Sequence, residues 1–336
     1  MFISRFIIPQ EEARSERVVI MAATINLFRN PDKAECPLVD RQSPTFCPAG
    51  FKTFIARRNG VALRLLVLIM VTSGLALAQS QNTAQQNSPS TQTTINPKLP
   101  TIFVAGDSTA NNHANGGLGW GDPFINYFDL ARANVLNRAR GGRSSRTFIT
   151  EGLWDKVLSE MKKGDFVIIQ FGHNDAGAIN DASRARGSLP GIGDETQEID
   201  NLLTKQHEVV HTYGWYMRKM INEAKAKGAT PIVLSLTVRN IWKDNHVERG
   251  PGKFGEWAAQ IAKSEQVMFL DVTKLIADKY EMLGETKVKE LFATDHTHTS
   301  PAGAELNASL VVAGLKMLKD HPLNRYLSAK GKAAAP

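Results

Sequence analysis

The sequence predicts an α/β fold, in which helices cover both faces of a five-stranded parallel sheet to give a three-layer α/β/α sandwich. After Pro100, short apolar runs alternate with amphipathic stretches, which is the rhythm of strand–helix units in a parallel sheet. At 336 residues the chain is long enough to bury a large core without disulfides or a structural metal. We therefore expect one globular α/β domain after Pro100.

The individual elements follow from the spacing of apolar residues. The predicted strands are the apolar runs at residues 102–105, 135–136, 166–171, 231–236 and 267–270. Helical spacing predicts helices at residues 123–132, 153–162, 212–227, 254–263 and 301–318. Gly228 is a suitable helix stop, and Pro301 after Ser300 is a suitable helix start.

One segment breaks this rhythm. Residues 176–205 are rich in Gly, Pro, Asp and Ser and have no convincing periodicity. Because this is longer than an ordinary connection, we interpret it as a functional loop.

The region before Pro100 is not expected to contribute to the domain. In residues 57–78, positive charges precede an apolar run and the small-residue pattern Ala76-Leu77-Ala78, which predicts a secretory signal peptide cleaved before Gln79. The alternative is a membrane anchor, but the apolar run from Leu65 has about 14 residues, and a bilayer requires about 20. We expect a secreted or periplasmic protein without stable membrane association after cleavage.

The predicted organisation has five parts. Residues 1–56 are interpreted as an upstream extension outside the mature protein, produced by a start codon placed too early. Residues 79–98 are polar and predict a disordered linker. The folded domain is expected at residues 99–322, followed by a disordered tail at 323–336.

Charge and cysteine content exclude some functions. The formal net charge is +7, but residues 1–78 hold 10 Lys and Arg against 6 Asp and Glu, which leaves 30 against 27 for the rest. So small an excess argues against a nucleic-acid partner. Both cysteines, Cys36 and Cys47, precede the domain, which excludes a cysteine nucleophile within it.

Chemically suited residues follow the predicted strands and precede the last helix. Ser108 lies in Gly-Asp-Ser-Thr after the first strand, where we expect it near the start of a helix. Gly142 lies in a glycine pair after the second strand, and Asn174 follows the third. Asp295 and His298 share one short loop. Since ligands bind beyond the carboxyl ends of parallel strands, these residues are expected to meet at one edge of the sheet.

These residue types are the components of a catalytic serine site. An alcohol is a poor nucleophile until a base takes its proton, and a carboxylate fixes the tautomer of that base. Ser108, His298 and Asp295 fill these three roles. The N–H groups of Ser108 and Gly142 and the side-chain amide of Asn174 are the expected donors to an oxyanion.

With these motifs the sequence resembles the GDSL, or SGNH, hydrolase family, in which four blocks supply Ser, Gly, Asn and Asp-x-x-His. Within the family it is most similar to rhamnogalacturonan acetylesterases, through the segments VAGDST, LGWGD, ARGGRSSRTF, FGHND, RNIW and DHTHTSPAGAE. The resemblance implies a flavodoxin-like fold, the same site residues and a metal-free, cofactor-free serine esterase. Its expected substrate is an acetylated polysaccharide or oligosaccharide, and we expect a monomer.

The sequence departs from the fungal members of that group in two respects, which bear on substrate preference. Its domain has no cysteine, and its 176–205 segment differs. Arg143, Arg146 and Trp242 are candidate substrate-binding residues, since arginine pairs with carboxylates and tryptophan can stack on sugar rings. His173 and His296 are expected to be structural or to lie at the rim.

Three other functions remain open. An acetylxylan esterase or another small-ester esterase would use the same site. A metallophosphoesterase is suggested by Gly-Asp, Gly-His-Asn-Asp and His-Thr-His, although Ser108 and Thr109 occupy positions where metal ligands would be expected. The third is a non-catalytic carbohydrate-binding module.

Overall fold

The computed structural model describes residues 94–336. The predicted upstream extension (1–56), the predicted signal peptide (57–78) and residues 79–93 of the predicted linker lie outside the described residues. The domain begins slightly earlier than predicted, because Asn96 pairs with Asn134. The Asn96 N–H donates to Asn134 Oδ1, and Asn134 Nδ2 donates to the Asn96 carbonyl, both at 2.9 Å.

The central sheet is formed by the five predicted strands, all parallel. They are β1 (Thr101–Gly106), β2 (Asn134–Asn137), β3 (Phe166–Gln170), β4 (Thr230–Leu234) and β5 (Met268–Leu270). Their spatial order is β2-β1-β3-β4-β5, with β1 paired to β2 on one side and to β3 on the other. The chain therefore adds β2 on one side of β1 and then crosses to the other side to add β3. The crevice between β1 and β3, where the strand order switches, is the expected ligand site.

The helices are α1 (Gly121–Phe124), α2 (Ser145–Thr150), α3 (Leu153–Glu160), α4 (Tyr213–Ala226), α5 (Phe254–Ser264), α6 (Val272–Leu283), α7 (Glu285–Lys289), α8 (Pro301–Met317) and α9 (Ala329–Ala333). Four of the five predicted helices are confirmed as α3, α4, α5 and α8, with ends that differ by one or two residues. Among the described residues, no helix has both the length and the apolar character that crossing a bilayer requires.

The strands are apolar at successive positions because both faces of the sheet are covered. Ile102 and Val104 point into a core with α6 and α8, whereas Phe103 and Ala105 point into a core with α3, α4 and α5. All four side chains are fully buried. The continuous apolar run is typical of a parallel strand covered on both sides, and it confirms the predicted three-layer sandwich.

The helix predicted at 123–132 is wrong over its second half. After α1 the chain makes one 3₁₀ turn at Ile125–Tyr127 and becomes extended at Phe128. Phe128 forms an antiparallel bridge with Leu327, and the Asp129 N–H donates to the Tyr326 carbonyl at 2.8 Å. Backbone groups that a longer helix would use for its own hydrogen bonds are therefore bonded to a distant segment of the chain.

That distant segment is the predicted disordered tail at 323–336, and this prediction is also wrong. Leu323 and Leu327 are buried in the core, and the tail forms a 3₁₀ turn and α9. Lys316 Nζ donates to the carbonyls of Lys332 and Ala334 at 2.6 and 2.7 Å. The tail is therefore part of the domain.

Candidate active site

Ser108 lies in a tight turn at the carboxyl end of β1. Asp107 Oδ1 accepts the backbone N–H and the hydroxyl of Thr109, both at 2.8 Å, and the Asp107 carbonyl accepts the N–H groups of Ala110 and Asn111. The helix predicted directly after Ser108 is absent from the described chain, since turns lead from here to α1. The fixed turn leaves Ser108 partly exposed at the crevice.

His298 bridges Ser108 and Asp295. Its Nε2 lies 2.9 Å from Ser108 Oγ, and its Nδ1 lies 2.7 Å from Asp295 Oδ2. An ionised carboxylate only accepts, so Nδ1 carries the hydrogen and Nε2 is left to accept from the serine. This is the arrangement that general-base activation of a hydroxyl requires.

The loop holding Asp295 and His298 is tied to the segment that follows Ser108. Leu118 and Thr299 make two hydrogen bonds, one from the Leu118 N–H to the Thr299 carbonyl at 2.9 Å and one from Thr299 Oγ1 to the Leu118 carbonyl at 2.8 Å. These contacts span about 180 residues of sequence, and they fix the His298 imidazole relative to the Ser108 hydroxyl.

Asp295 is held in its ionised form. Partial burial acts to raise its pKa, but hydrogen bonds from the His298 ring and from the N–H groups of His298 and Thr297 outweigh that effect and lower the pKa below its ordinary value. The carboxylate is therefore available to orient the imidazole and to stabilise its positive charge.

Gly142 and Asn174 line the same pocket as Ser108 and His298. Gly142 has φ +78°, a conformation that side-chain-bearing residues rarely adopt. A Cβ on the neighbouring Gly141 would lie 3.7 Å from Ser108 Cβ, so this loop runs close beside the serine. Asn174 Nδ2 donates to the Arg143 carbonyl at 2.9 Å, and this contact leaves the second hydrogen of that nitrogen for another acceptor.

A buried carboxylate links the two loops that carry Gly142 and Asn174. Asp175 Oδ1 accepts the Ser145 N–H at 3.1 Å and the Ser188 hydroxyl at 3.1 Å, and it also accepts the Ser145 hydroxyl. Burial raises the pKa of Asp175 to about 6, against the opposing effect of these hydrogen bonds. Asp175 thus joins the start of α2 to the segment that follows β3.

Arg146 is not a substrate-binding residue in this structure, contrary to the sequence-based prediction. Its side chain is fully buried, and its Nε and Nη2 pair with Glu208 at 2.7 and 2.6 Å. Its Nη1 donates to the carbonyls of Ile179 and Gly187, both at 2.7 Å. Arg146 is therefore a buried structural residue that holds the segment after β3 in place.

The segment predicted as a functional loop does reach the pocket. It contains the strand Thr196–Asp200, which forms an antiparallel hairpin with His207–His211 just beyond the segment; the sequence did not indicate this hairpin. Ser183, Arg184, Arg186 and Leu203 line the pocket.

Trp242, His173 and His296 are not part of the hydrogen-bonded series formed by Ser108, His298 and Asp295. Trp242 does not line the pocket; it packs half-buried against the core, and its Nε1 donates to Asn240 Oδ1 at 2.8 Å. His173 is buried with Nε2 3.2 Å from Thr237 Oγ1, and burial lowers its pKa, which favours the neutral ring. His296 is exposed, and its carbonyl accepts the Asn240 N–H.

The pocket has a volume of about 590 Å³ and is rich in arginine. Arg143 lines it as predicted, although its Nε is paired with Glu151 at 2.8 Å. Arg184, Arg186 and Arg239 also line it, and of these only Arg239 follows a predicted strand. Within residues 94–336, no three His, Cys, Asp or Glu side chains converge in a way that could hold a metal ion.

A hydroxyl, an imidazole and a carboxylate in hydrogen-bonded series, at the carboxyl edge of an open parallel sheet, are the parts of a serine hydrolase. Residues 104–306 match the GDSL-like lipase/acylhydrolase family. The chain belongs to this family and is a carboxylic ester hydrolase.

Individual relatives agree with this assignment. The chain is 33% identical over 208 residues to a rhamnogalacturonan acetylesterase of Emericella nidulans, covering 62% of this chain and 81% of that protein. It is 28% identical over 246 residues to the rhamnogalacturonan acetylesterase RhgT of Bacillus subtilis, covering 67% and 94%. Among solved structures, the Bacillus subtilis protein YxiM is similar with a TM-score of 0.52 and 25% identity, over 65% of this chain and 56% of that chain. These findings confirm the resemblance inferred from the motifs.

Proposed function

We propose that this protein is an exported serine esterase that removes acetyl groups from a plant cell-wall polysaccharide, with acetylated rhamnogalacturonan or a related pectin as its substrate. The observation that carries the proposal is the hydrogen-bonded series from Ser108 through His298 to Asp295, with heavy-atom distances of 2.9 and 2.7 Å. The similarity to two rhamnogalacturonan acetylesterases supports the choice of substrate.

In the first half of the proposed reaction, His298 Nε2 takes the proton of Ser108 as Ser108 Oγ attacks the acetyl carbonyl carbon. The carbonyl oxygen becomes an oxyanion, which accepts hydrogen bonds from the N–H groups of Ser108 and Gly142 and from Asn174 Nδ2. The C–O bond to the sugar then breaks, and His298 returns the proton to the departing sugar oxygen.

In the second half, water replaces the sugar. His298 removes a proton from the water, the resulting hydroxide equivalent attacks the acetyl-enzyme, and the same donors bind the second oxyanion. Collapse releases acetate and gives the proton back to Ser108. Asp295 stabilises the imidazolium in both halves, which suits its lowered pKa.

The substrate is tested by acetate release from acetylated rhamnogalacturonan, acetylated homogalacturonan and acetylated xylan, measured side by side. We expect the highest kcat/KM on rhamnogalacturonan. Release from xylan alone would reassign the protein as an acetylxylan esterase, and no release from any of the three polymers would contradict the proposal.

A further inference from the structure

The pocket lining carries a larger relative excess of positive charge than the rest of the domain. Its lining includes four arginines and one glutamate, Glu151. Residues 79–336 hold 30 Lys and Arg against 27 Asp and Glu, obtained by subtracting the 10 and 6 of residues 1–78 from the totals of 40 and 33. The pocket therefore has a local excess of positive charge on a nearly balanced domain.

Two of the four arginines are engaged by the protein itself. Arg143 is paired with Glu151 and also donates from Nη1 to the Gly141 carbonyl at 3.0 Å. Arg186 donates from Nη1 to the Gly142 carbonyl at 3.0 Å. Both contacts support the loop that carries the Gly142 N–H.

The other two, Arg184 and Arg239, have no carboxylate partner in the described part of the chain. The arginines that pair there with Asp or Glu are Arg138, Arg143, Arg146, Arg218 and Arg249. Nε of Arg239 is buried and has no hydrogen-bond partner. A buried donor without an acceptor is costly, and an acceptor on a bound ligand would relieve that cost.

Arg184 and Arg239 reach the pocket from different segments. Arg184 belongs to the segment after β3, in a turn where Asp181 Oδ1 accepts the N–H groups of Ser183 and Arg184 at 2.8 and 2.7 Å. Arg239 follows β4, beside Asn240, whose N–H donates to the His296 carbonyl at 2.7 Å. The second segment is thus attached to the loop of the proposed base.

We propose that Arg184 and Arg239 form a carboxylate subsite, which binds a uronic acid residue of the polymer. A guanidinium group matches a carboxylate in a planar, two-bond geometry and stays charged at any relevant pH. An unsubstituted neutral xylan has hydroxyl oxygens that can accept hydrogen bonds, but it has no carboxylate to pair with these guanidinium groups. This inference rests on the proposed function and identifies the residues that recognise the negative charge of the substrate.

The test uses binding, so that it does not depend on turnover. The Ser108→Ala protein is titrated with an unacetylated rhamnogalacturonan oligosaccharide and with the same oligosaccharide after its carboxyl groups have been reduced to alcohols. We expect the acidic form to bind at least about tenfold more tightly at low salt, and this ratio to shrink as salt is raised. Equal affinities, or no binding of the acidic form, would overturn the subsite.

Substitutions then locate the effect. In the same background, Arg184→Gln and Arg239→Gln should each reduce the ratio of affinities about fivefold, whereas Arg132→Gln, at an exposed arginine outside the pocket, should not change it. Arg184 is exposed, so its substitution remains informative even if Arg239→Gln fails to fold. A ratio that both pocket substitutions leave intact would refute the assignment.

Acetate release by the wild-type protein separates this inference from the proposed function. If the wild type deacetylates rhamnogalacturonan but binds both oligosaccharides equally, the esterase stands and the subsite falls. If it deacetylates none of the polymers but binds the acidic form through Arg184 and Arg239, the subsite stands and deacetylation falls.

Discussion

The chemistry proposed for this protein depends on a few contacts around His298. One ring nitrogen faces Ser108 and the other faces Asp295, so the tautomer of the imidazole is set by the carboxylate. Hydrogen bonds keep Asp295 ionised, with its pKa below the ordinary value. Asp295 therefore remains an acceptor for His298 Nδ1, and His298 Nε2 is directed at Ser108.

Replacing Ser108 with alanine removes the proposed nucleophile and little else, because the side chain is partly exposed. We expect Ser108→Ala to lower kcat for acetate release from an aryl acetate by about 10⁴-fold or more, with unchanged circular dichroism. Ser159→Ala, on the outer surface of α3, serves as the matched control and should keep full activity. Turnover of Ser108→Ala near the wild-type rate would contradict the assignment.

Asn174 is expected to act mainly in the transition state, when the oxyanion forms. Asn174→Ala should lower kcat by about 10²- to 10³-fold with little change in KM. Steady-state kinetics on an aryl acetate measure both parameters, with Asn126→Ala at an exposed position as the control. A rise in KM with normal kcat would instead place Asn174 in ground-state binding.

At the scale of elements, the site is assembled by contacts between loops that follow different strands. Leu118 and Thr299 join the serine turn to the histidine loop. Asp175 joins the start of α2 to the segment after β3. The relative positions of the proposed oxyanion donors are therefore set by buried polar bridges as well as by the sheet.

The buried carboxyl of Asp175 should leave a signature in the pH dependence of stability. Its pKa is about 6 in the folded protein and is raised chiefly by burial, so between about pH 4 and pH 6 the folded state holds a proton that the unfolded state has lost. Its contribution to the free energy of unfolding should then fall as pH rises through this interval, on the order of 3 kcal/mol in total.

Urea denaturation of the wild type and of Asp175→Asn from pH 4 to pH 7 tests this expectation. The variant should be less stable at pH 4, because its Nδ2 takes the place of Asp175 Oδ2 and faces the Ser145 N–H, which is also a donor. It should lack the decline, because an amide does not titrate in this range. Parallel curves for the two proteins would show that Asp175 does not titrate in this range.

At the scale of the molecule, much of the fold was predictable because buried parallel strands are apolar at successive positions. All five strands lie where the apolar runs predicted them. The residues of the proposed triad were also predictable, since Asp295 and His298 are close in sequence and Ser108 follows a strand.

Two of the remaining errors involve contacts between distant parts of the chain. The helix predicted at 123–132 ends early because Phe128 bridges to Leu327. Arg146 was expected to bind substrate, yet its burial depends on Glu208, which lies 62 residues further on. Likewise, nothing in the local sequence around Arg184 or Arg186 indicates that they line the pocket.

The docked tail should contribute strongly to stability, although it was predicted to be disordered. Leu327 is 4% exposed, and Leu327→Ala should lower the free energy of unfolding by about 2–5 kcal/mol. The matched control is Leu130→Ala, at a leucine that is 43% exposed, with an expected change within about 0.5 kcal/mol. Denaturant unfolding measures both, and equal small effects would mean that the tail is not docked in solution.

The central claim is that His298 makes Ser108 nucleophilic, and covalent labelling tests it most directly. The protein is treated with a fluorophosphonate that reacts with activated serine hydroxyls, and the adduct is located by mass spectrometry of its peptides. We predict a single adduct on Ser108, absent in Ser108→Ala and formed at least about 10²-fold more slowly in His298→Ala. An adduct on another residue, or labelling of Ser108 that proceeds equally fast without His298, would contradict the claim.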